Sequence, residues 1–202
     1  MTWSVAHARL HTLLKQKILL PKKSRLLIAV SGGQDSLCLS QLLIEIASHW
    51  QWSVGIVHCD HRWRADSEEH ANHVAQWAKS WGVESWLCVA DCELQSEAAA
   101  RGWRYKQFGE VARREDFSYV VTGHTRSDRA ETVLYNLIRG TGIDGISTLQ
   151  WSRALDTNHP PITLVRPLLN MSRRETADFC QQQQLPVWQD SSNQDLSYRR
   201  NR

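Results

Sequence analysis

Leu26-Leu27-Ile28-Ala29-Val30, then Ser31-Gly32-Gly33-Gln34-Asp35-Ser36, then the apolar positions Leu37, Leu39, Leu42, Leu43 and Ile46 form the stretch that decides the fold. An apolar run rich in branched residues, a double-glycine turn and an apolar set at helical spacing predict a strand–loop–helix unit. Glycine admits positive φ, so successive backbone N–H groups in such a turn can converge on an anion. The N-terminus of the following helix adds unpaired N–H donors and a partial positive charge. Ser31 and Ser36 add hydroxyls, and Asp35 offers an oxygen of the kind magnesium takes. The stretch reads as a phosphate cradle; the plain alternative is a strand-ending turn with capping serines. A Walker A loop is excluded, because that motif requires a Gly-Lys pair and the chain has none.

Downstream, the same grammar repeats. Ser53–His58, Glu84–Ala90 and Ser118–Thr122 read as further strands, and Ile162–Val165 as a short last one. Asp66 with Glu69 is a candidate capping pair for a helix reaching Trp81 and closed by Gly82. Ser96–Arg114 and Ser127–Arg139 have helical composition, the second closed by Gly140. Ser172-Arg173-Arg174-Glu175 is a capping box opening a helix toward Pro186. Strands alternating with helices predict an α/β fold with a doubly wound, mostly parallel sheet of about five strands, covered by helices on both faces.

In such a sheet ligands collect where the strands end. The cradle, His58-Cys59-Asp60-His61 and Gly123-His124 all follow strands and are expected to share one rim. His58 and His61 flank a turn rather than sharing a helix face, so hydrogen bonding around a nucleotide, or fixing the loop beside it, is favoured over zinc. Asp128 and Glu131 fall three apart in a helix start, on one face. They either complement the helix dipole or hold a cation, a cationic substrate or magnesium.

Composition narrows the class. At 202 residues, 42 % hydrophobic and 22 % charged, the chain suits one soluble globular domain. The expected division is 1–25 as an N-terminal helix, 26–150 as a nucleotide-binding core and 151–202 as the C-terminal part of the same domain. Val5, Leu10, Leu13 and Leu14 fall at helical spacing, which argues that the basic, acid-free start belongs to the fold rather than to a transit peptide. No run approaches a membrane span, so a cytoplasmic protein without membrane contact is expected. The five cysteines include no Cys-x-x-Cys pair and read as reduced thiols. Trp77 and Trp81, one helical turn apart, are expected to pack on each other.

The Ser-Gly-Gly-x-Asp-Ser hexapeptide resembles the signature of the PP-loop ATP pyrophosphatases. A closer resemblance comes from an ordered set of stretches. The set runs from that hexapeptide through His58 to Arg64, then Glu97-Ala98-Ala99-Ala100-Arg101 with Arg104-Tyr105, then Gly123-His124 to Glu131-Thr132. It continues with Arg139-Gly140-Thr141-Gly142, Arg166-Pro167-Leu168 and Asp190-Ser191-Ser192-Asn193 ahead of Arg200-Asn201. In this order they are similar to the catalytic domain of the tRNA(Ile)-lysidine synthetase family, from about Leu26 to the last residue. Two departures stand out: Arg62-Trp63 where the family has Gly-Leu, and Ser127-Asp128-Arg129 where it often has Asp-Asp-Gln.

The resemblance implies a PP-loop, adenine nucleotide alpha-hydrolase-like fold using ATP and Mg2+. It implies ligation of L-lysine to the wobble cytidine of a CAU-anticodon tRNA(Ile). In that reaction the cytosine C2 oxygen attacks the α-phosphorus, pyrophosphate leaves, and the lysine ε-amine then displaces AMP. It places Asp35, Arg101 and Asp128 in catalysis, with Asp35 on magnesium. Ser31, Gly32, Gly33, Gln34, Asp35, Ser36, His58 and His61 fall on the nucleotide, and His124, Asp128, Glu131, Arg200 and Asn201 on the lysine and RNA. A homodimer remains open. So do two rival readings, a tRNA-thiolating PP-loop enzyme and a nucleotide- or tRNA-binding module without chemistry.

Overall fold

The leucine-rich run forms strand β1 (Arg25–Ala29), in which Leu26, Leu27 and Ile28 are all fully buried, so both faces of the strand are covered. The structure is a computed structural model that describes residues 3–63, 66–92, 94–138 and 149–188. Its other strands are β2 (Ser53–Asp60), β3 (Glu84–Val89), β4 (Tyr119–Thr122), β5 (Ser152–Asp156) and β6 (Ile162–Val165). They form one sheet in the order β3-β2-β1-β4-β6-β5, parallel throughout except for β5 against β6. The helices are α1 (Val5–Lys17), α2 (Gln34–Trp50), α3 (Ser67–Ser80), α4 (Glu97–Arg114), α5 (Arg126–Ile138) and α6 (Arg173–Gln182).

Alternation along the strands sorts the core into two layers. Leu26, Ile28, Ile56, Val121 and Val165 face a cluster built from α1, α2, α3 and α6, including Leu10, Leu14, Leu39, Leu43, Trp77 and Phe179. Leu27, Val57, Val120 and Leu164 face the other way, onto Phe108, Val111 and Ala112 of α4. Each fully buried leucine or isoleucine contributes about 1.5–3 kcal/mol over an exposed one. The doubly wound expectation holds, with most of the helical cover on one face.

Several expectations are corrected in detail. A sixth strand, β5, joins the sheet edge. Its sequence Ser-Arg-Ala-Leu-Asp has no β-branched run, and backbone pairing to β6 forms it, with an irregularity between Ala154 and Asp156. Strand β2 runs two residues past His58 to Asp60, because β3 pairs it as far as Asp60↔Val89. Val5 is 86 % exposed, since α1 starts there and buries Leu10, Leu13 and Leu14 instead. Asp66 precedes α3 without a side-chain capping bond, its φ and ψ not being extended. The capping box of Ser172 and Glu175 forms as read, and Trp77 and Trp81 stack with centroids 5.6 Å apart. Arg139, Gly140, Asp190–Asn193, Arg200 and Asn201 lie outside the described residues. Among the described residues no helix is long and apolar enough to cross a membrane.

Candidate functional site at the sheet switch point

Strand β1 pairs with β2 on one side and β4 on the other, so the direction of strand progression reverses between β1 and β4. Connections leaving β1 and β4 therefore diverge and open a crevice at their carboxyl ends. A cavity of about 340 Å3 lies there, lined by Ser31, Asp35 and Ser36, by His58–His61, and by Gly123, His124 and Asp128. The three sequence clusters expected to share one rim do share it. Strand β4 comes close to the cradle: a Cβ on Gly123 would sit 2.9 Å from the Asp35 carbonyl oxygen.

The turn itself is built as its glycines require. Gly32 has φ +80°, and Gly33 caps α2 without any side-chain hydrogen bond, which leaves the α2 N-terminus open. Ser36 serves the loop from inside, donating to the Gly33 carbonyl at 2.8 Å and accepting from Ser31 N–H at 3.2 Å. Gln34 turns to α6, where its amide donates to the Arg173 carbonyl at 2.7 Å and to the Thr176 hydroxyl at 3.2 Å. Gly32, Gly33 and Gln34 are not among the residues that line the cavity.

Asp35 accepts a hydrogen bond from the Thr176 hydroxyl, while burial pushes its carboxyl above the usual range and nearby Asp128 adds to the rise. For Asp128 burial acts the same way, but the Thr125 N–H and hydroxyl (2.7 and 2.8 Å) and Arg173 outweigh it and hold the carboxyl low. Asp128 caps the start of its own helix with one oxygen and presents the other to a cation of the chain itself. That cation is Arg173, whose guanidinium also bonds exposed Glu131. Sequence reading missed Arg173 in this role because the capping box around it explains its neighbours without it.

The β2 end is equally specified. His58 Nδ1 lies 2.7 Å from the Val30 carbonyl, so Nδ1–H donates and Nε2 is left as an acceptor. Asp60 accepts from Arg62 N–H at 2.7 Å and so fixes the turn that follows it. Buried His61 Nε2 finds no hydrogen-bond partner among the described residues. His70, also missed, stands above the cradle, with its ring stacked on Trp188 at 5.0 Å and edge-on to His58 at 5.1 Å. Nothing in the helical pattern of α3 singles it out.

Basic residues close the other side. Arg101, Arg104 and Tyr105 of α4 line the cavity, and the guanidinium groups of Arg101 and Arg153 each lie 5.0 Å from the Tyr105 ring centre. Arg166, only 2 % exposed, donates to the Gln150 carbonyl at 2.9 Å. Burial, reinforced by Arg166 and Arg101, pushes His124 down to about 4; burial and Arg104 push His61 down to about 4 as well. Both rings are neutral in the folded chain near neutral pH, whereas the unfolded chain protonates them around 6.5. Between those values the unfolded state binds more protons, so stability rises with pH through that window and is lost on acidification. Thermal melts from about pH 7 down to about pH 5 are expected to show a falling Tm, and His124→Asn to flatten the slope. A Tm indifferent to pH across that range would mean that neither ring is desolvated.

Against known proteins the chain matches the PP-loop domain family over residues 4–202. A tRNA(Ile)-lysidine synthase of Nostoc sp. is 53 % identical over 202 residues, which cover 100 % of this chain and 58 % of the relative. One from Thermosynechococcus vestitus is 54 % identical over 200 residues, covering 99 % and 57 %. The chain thus spans less than two thirds of these relatives. Among solved structures, the U34-tRNA thiolase NcsA from Methanococcus maripaludis superimposes with a TM-score of 0.74 over 91 % of this chain and 64 % of the other, at 16 % identity. That likeness is one of fold. With the strand order, the open turn and a match that runs through every element of the site, the chain belongs to the PP-loop family.

Proposed function

We propose that residues 1–202 form the single catalytic domain of a tRNA(Ile)-lysidine synthetase, with 26–150 as its nucleotide-binding core. The reaction joins L-lysine to C2 of the wobble cytidine in CAU-anticodon tRNA(Ile), with ATP converted to AMP and pyrophosphate. One observation carries the reading: a single guanidinium, that of Arg173, bonds Asp128 and Glu131 and lies 3.8 Å from Asp35. A cation-binding acid pair therefore adjoins the phosphate turn in one site, which suits a substrate that carries an ammonium group and presents a second, neutral amine to an adenylated centre. The names of the relatives support lysine as that amine.

The residues fit ATP. The α2 N-terminus is open to an anion, and His61 Nε2 is a buried polar atom in want of a partner. They also fit magnesium in one manner. Among the described residues no three His, Cys, Asp or Glu side chains gather into a cage, and Mg2+ ordinarily takes one or two carboxylates and completes its shell with phosphate and water. Asp35 is the carboxylate placed for it. When bound, ATP with magnesium would supply the adenylyl group that turns the cytosine C2 oxygen into a leaving group, with pyrophosphate released.

The chain's own groups do the rest. Ser31, Gly32, Gly33, Gln34 and Ser36 shape the turn, and its N–H groups bind the phosphates. His58 and His61 border the nucleotide, and Arg101 offers a guanidinium fork to phosphate charge. His124 stays neutral and braces the loop through Thr122, 2.9 Å from its Nδ1. Asp128 and Glu131 receive the lysine, while Arg200 and Asn201 are assigned to the RNA side.

The test is incubation with labelled lysine, ATP and a tRNA(Ile) transcript bearing CAU, followed by nucleoside analysis. Label in a modified cytidine, with stoichiometric AMP, is the expected result. ATP–pyrophosphate exchange without lysine in the nucleoside would overturn the reading, and sulfur incorporation would replace it by thiolation.

A further inference from the structure

Arg173 is the first residue of α6, and its half-exposed side chain reaches Asp35 and Asp128, two carboxylates that line the cavity, without itself lining it. Nη1 lies 2.8 Å from Glu131 Oε1 and Nη2 lies 2.8 Å from Asp128 Oδ1, while Nε is 3.8 Å from Asp35 Oδ2. The backbone beneath is pinned on both sides: its N–H donates to Ser127 Oγ at 3.4 Å and its carbonyl accepts from the Gln34 amide at 2.7 Å. The base of the side chain therefore keeps its place between α2 and α5.

A guanidinium carries five N–H donors in a planar fork, and the two short bonds to Asp128 and Glu131 use two of them. The remaining N–H groups are available to a further acceptor. The positive end of the α6 dipole adds to the pull on an anion at this point. Yet the two carboxylates of Asp128 and Glu131 face one guanidinium, so that group of three keeps net negative charge and attracts a cation even with Asp35 given to magnesium. A ligand that satisfies both demands carries an ammonium and a carboxylate close together, which is what the α-carbon of a free amino acid presents.

We propose that Arg173 anchors the α-carboxylate of the amino-acid substrate while Asp128 and Glu131 hold its α-ammonium, forming a clamp for the zwitterionic end. The inference rests on the lysine-joining reading and deepens it. Holding the α-nitrogen as an ammonium keeps it from acting as a nucleophile and leaves the side-chain amine as the reacting group. The rival arrangement is a plug, in which Arg173 occupies the acid pair only until an incoming cation displaces it.

Calorimetric titration of the chain, with ATP present, separates these. The ligands are L-lysine, cadaverine, which lacks the carboxylate, and 6-aminohexanoate, which lacks the α-amine. The wild-type chain is expected to bind lysine at least about tenfold more tightly than cadaverine. Arg173→Gln is expected to weaken lysine and 6-aminohexanoate about 10- to 100-fold and leave cadaverine unchanged, with Arg173→Lys between the two. Circular dichroism checks that each variant folds. Equal weakening of lysine and cadaverine in Arg173→Gln would reduce Arg173 to a brace for the acid pair and overturn the clamp. Tighter binding of both would establish the plug. A wild-type chain that binds ATP but no lysine would overturn the lysine reading itself, and the clamp with it.

Discussion

Asp35→Asn is expected to yield a folded chain that binds ATP but has lost pyrophosphate release by on the order of 10²–10³-fold, or ~3–4 kcal/mol of transition-state stabilisation. The asparagine keeps the shape of the side chain and an oxygen to accept from the Thr176 hydroxyl, so the contact between α2 and α6 is preserved. What it removes is the negative charge, which in the proposed site faces magnesium on the leaving pyrophosphate. Burial, with nearby Asp128, raises this carboxyl above its usual range, a perturbation of the kind that gathers at functional sites. Pyrophosphate release by the folded variant, measured with tRNA and lysine present, checks it. A near-normal rate would remove Asp35 from the reaction.

Gly32→Ala is expected to weaken ATP binding by about tenfold or more and to lower Tm. The φ of +80° costs an alanine about 1–2 kcal/mol, a factor of roughly 5–30 in an equilibrium. The added Cβ would also stand 2.0 Å from His70 Nε2. That ring stacks on Trp188 and stands edge-on to His58, so it withdraws only by giving up those contacts. The double variant Gly32→Ala/His70→Ala removes the overlap but not the torsional cost, so it is expected to recover affinity in part. ATP titration of the two variants separates the steric from the conformational contribution. Unimpaired binding by Gly32→Ala would show that the turn is not held in this conformation when it works.

Both effects come from a stretch legible in the sequence, and the reason is its short range. The strand, the glycine turn and the α2 periodicity each depend on residues within a few positions. The parallel order of strands then brings the ends of β1, β2 and β4 together without further information. Strand β5 escaped because an edge strand is formed by its partner's backbone, which leaves little mark on its own side chains. The extension of β2 to Asp60 escaped for the same reason: pairing with β3 decides how far it runs.

The composition of the site beyond its turn had to wait for packing. The sequence alone determined that Asp35, His58, His61, His124 and Asp128 would gather at one edge of a doubly wound sheet, since strand ends are set by topology. Only the tertiary structure decided that Arg173 would join Asp35, Asp128 and Glu131, that Gln34 would serve α6, and that His70 would stand over Gly32. The first two follow from the docking of α6 against α2, secured by the Thr176 hydroxyl on Asp35 and the Cys180 thiol on the Gln34 carbonyl at 3.3 Å, and the third from the placing of α3, whose His70 ring stacks on Trp188. Such docking joins side chains some 140 residues apart in sequence. Local propensity acts over a turn or a strand, so it cannot encode which distant side chains a packed interface will bring within hydrogen-bonding distance.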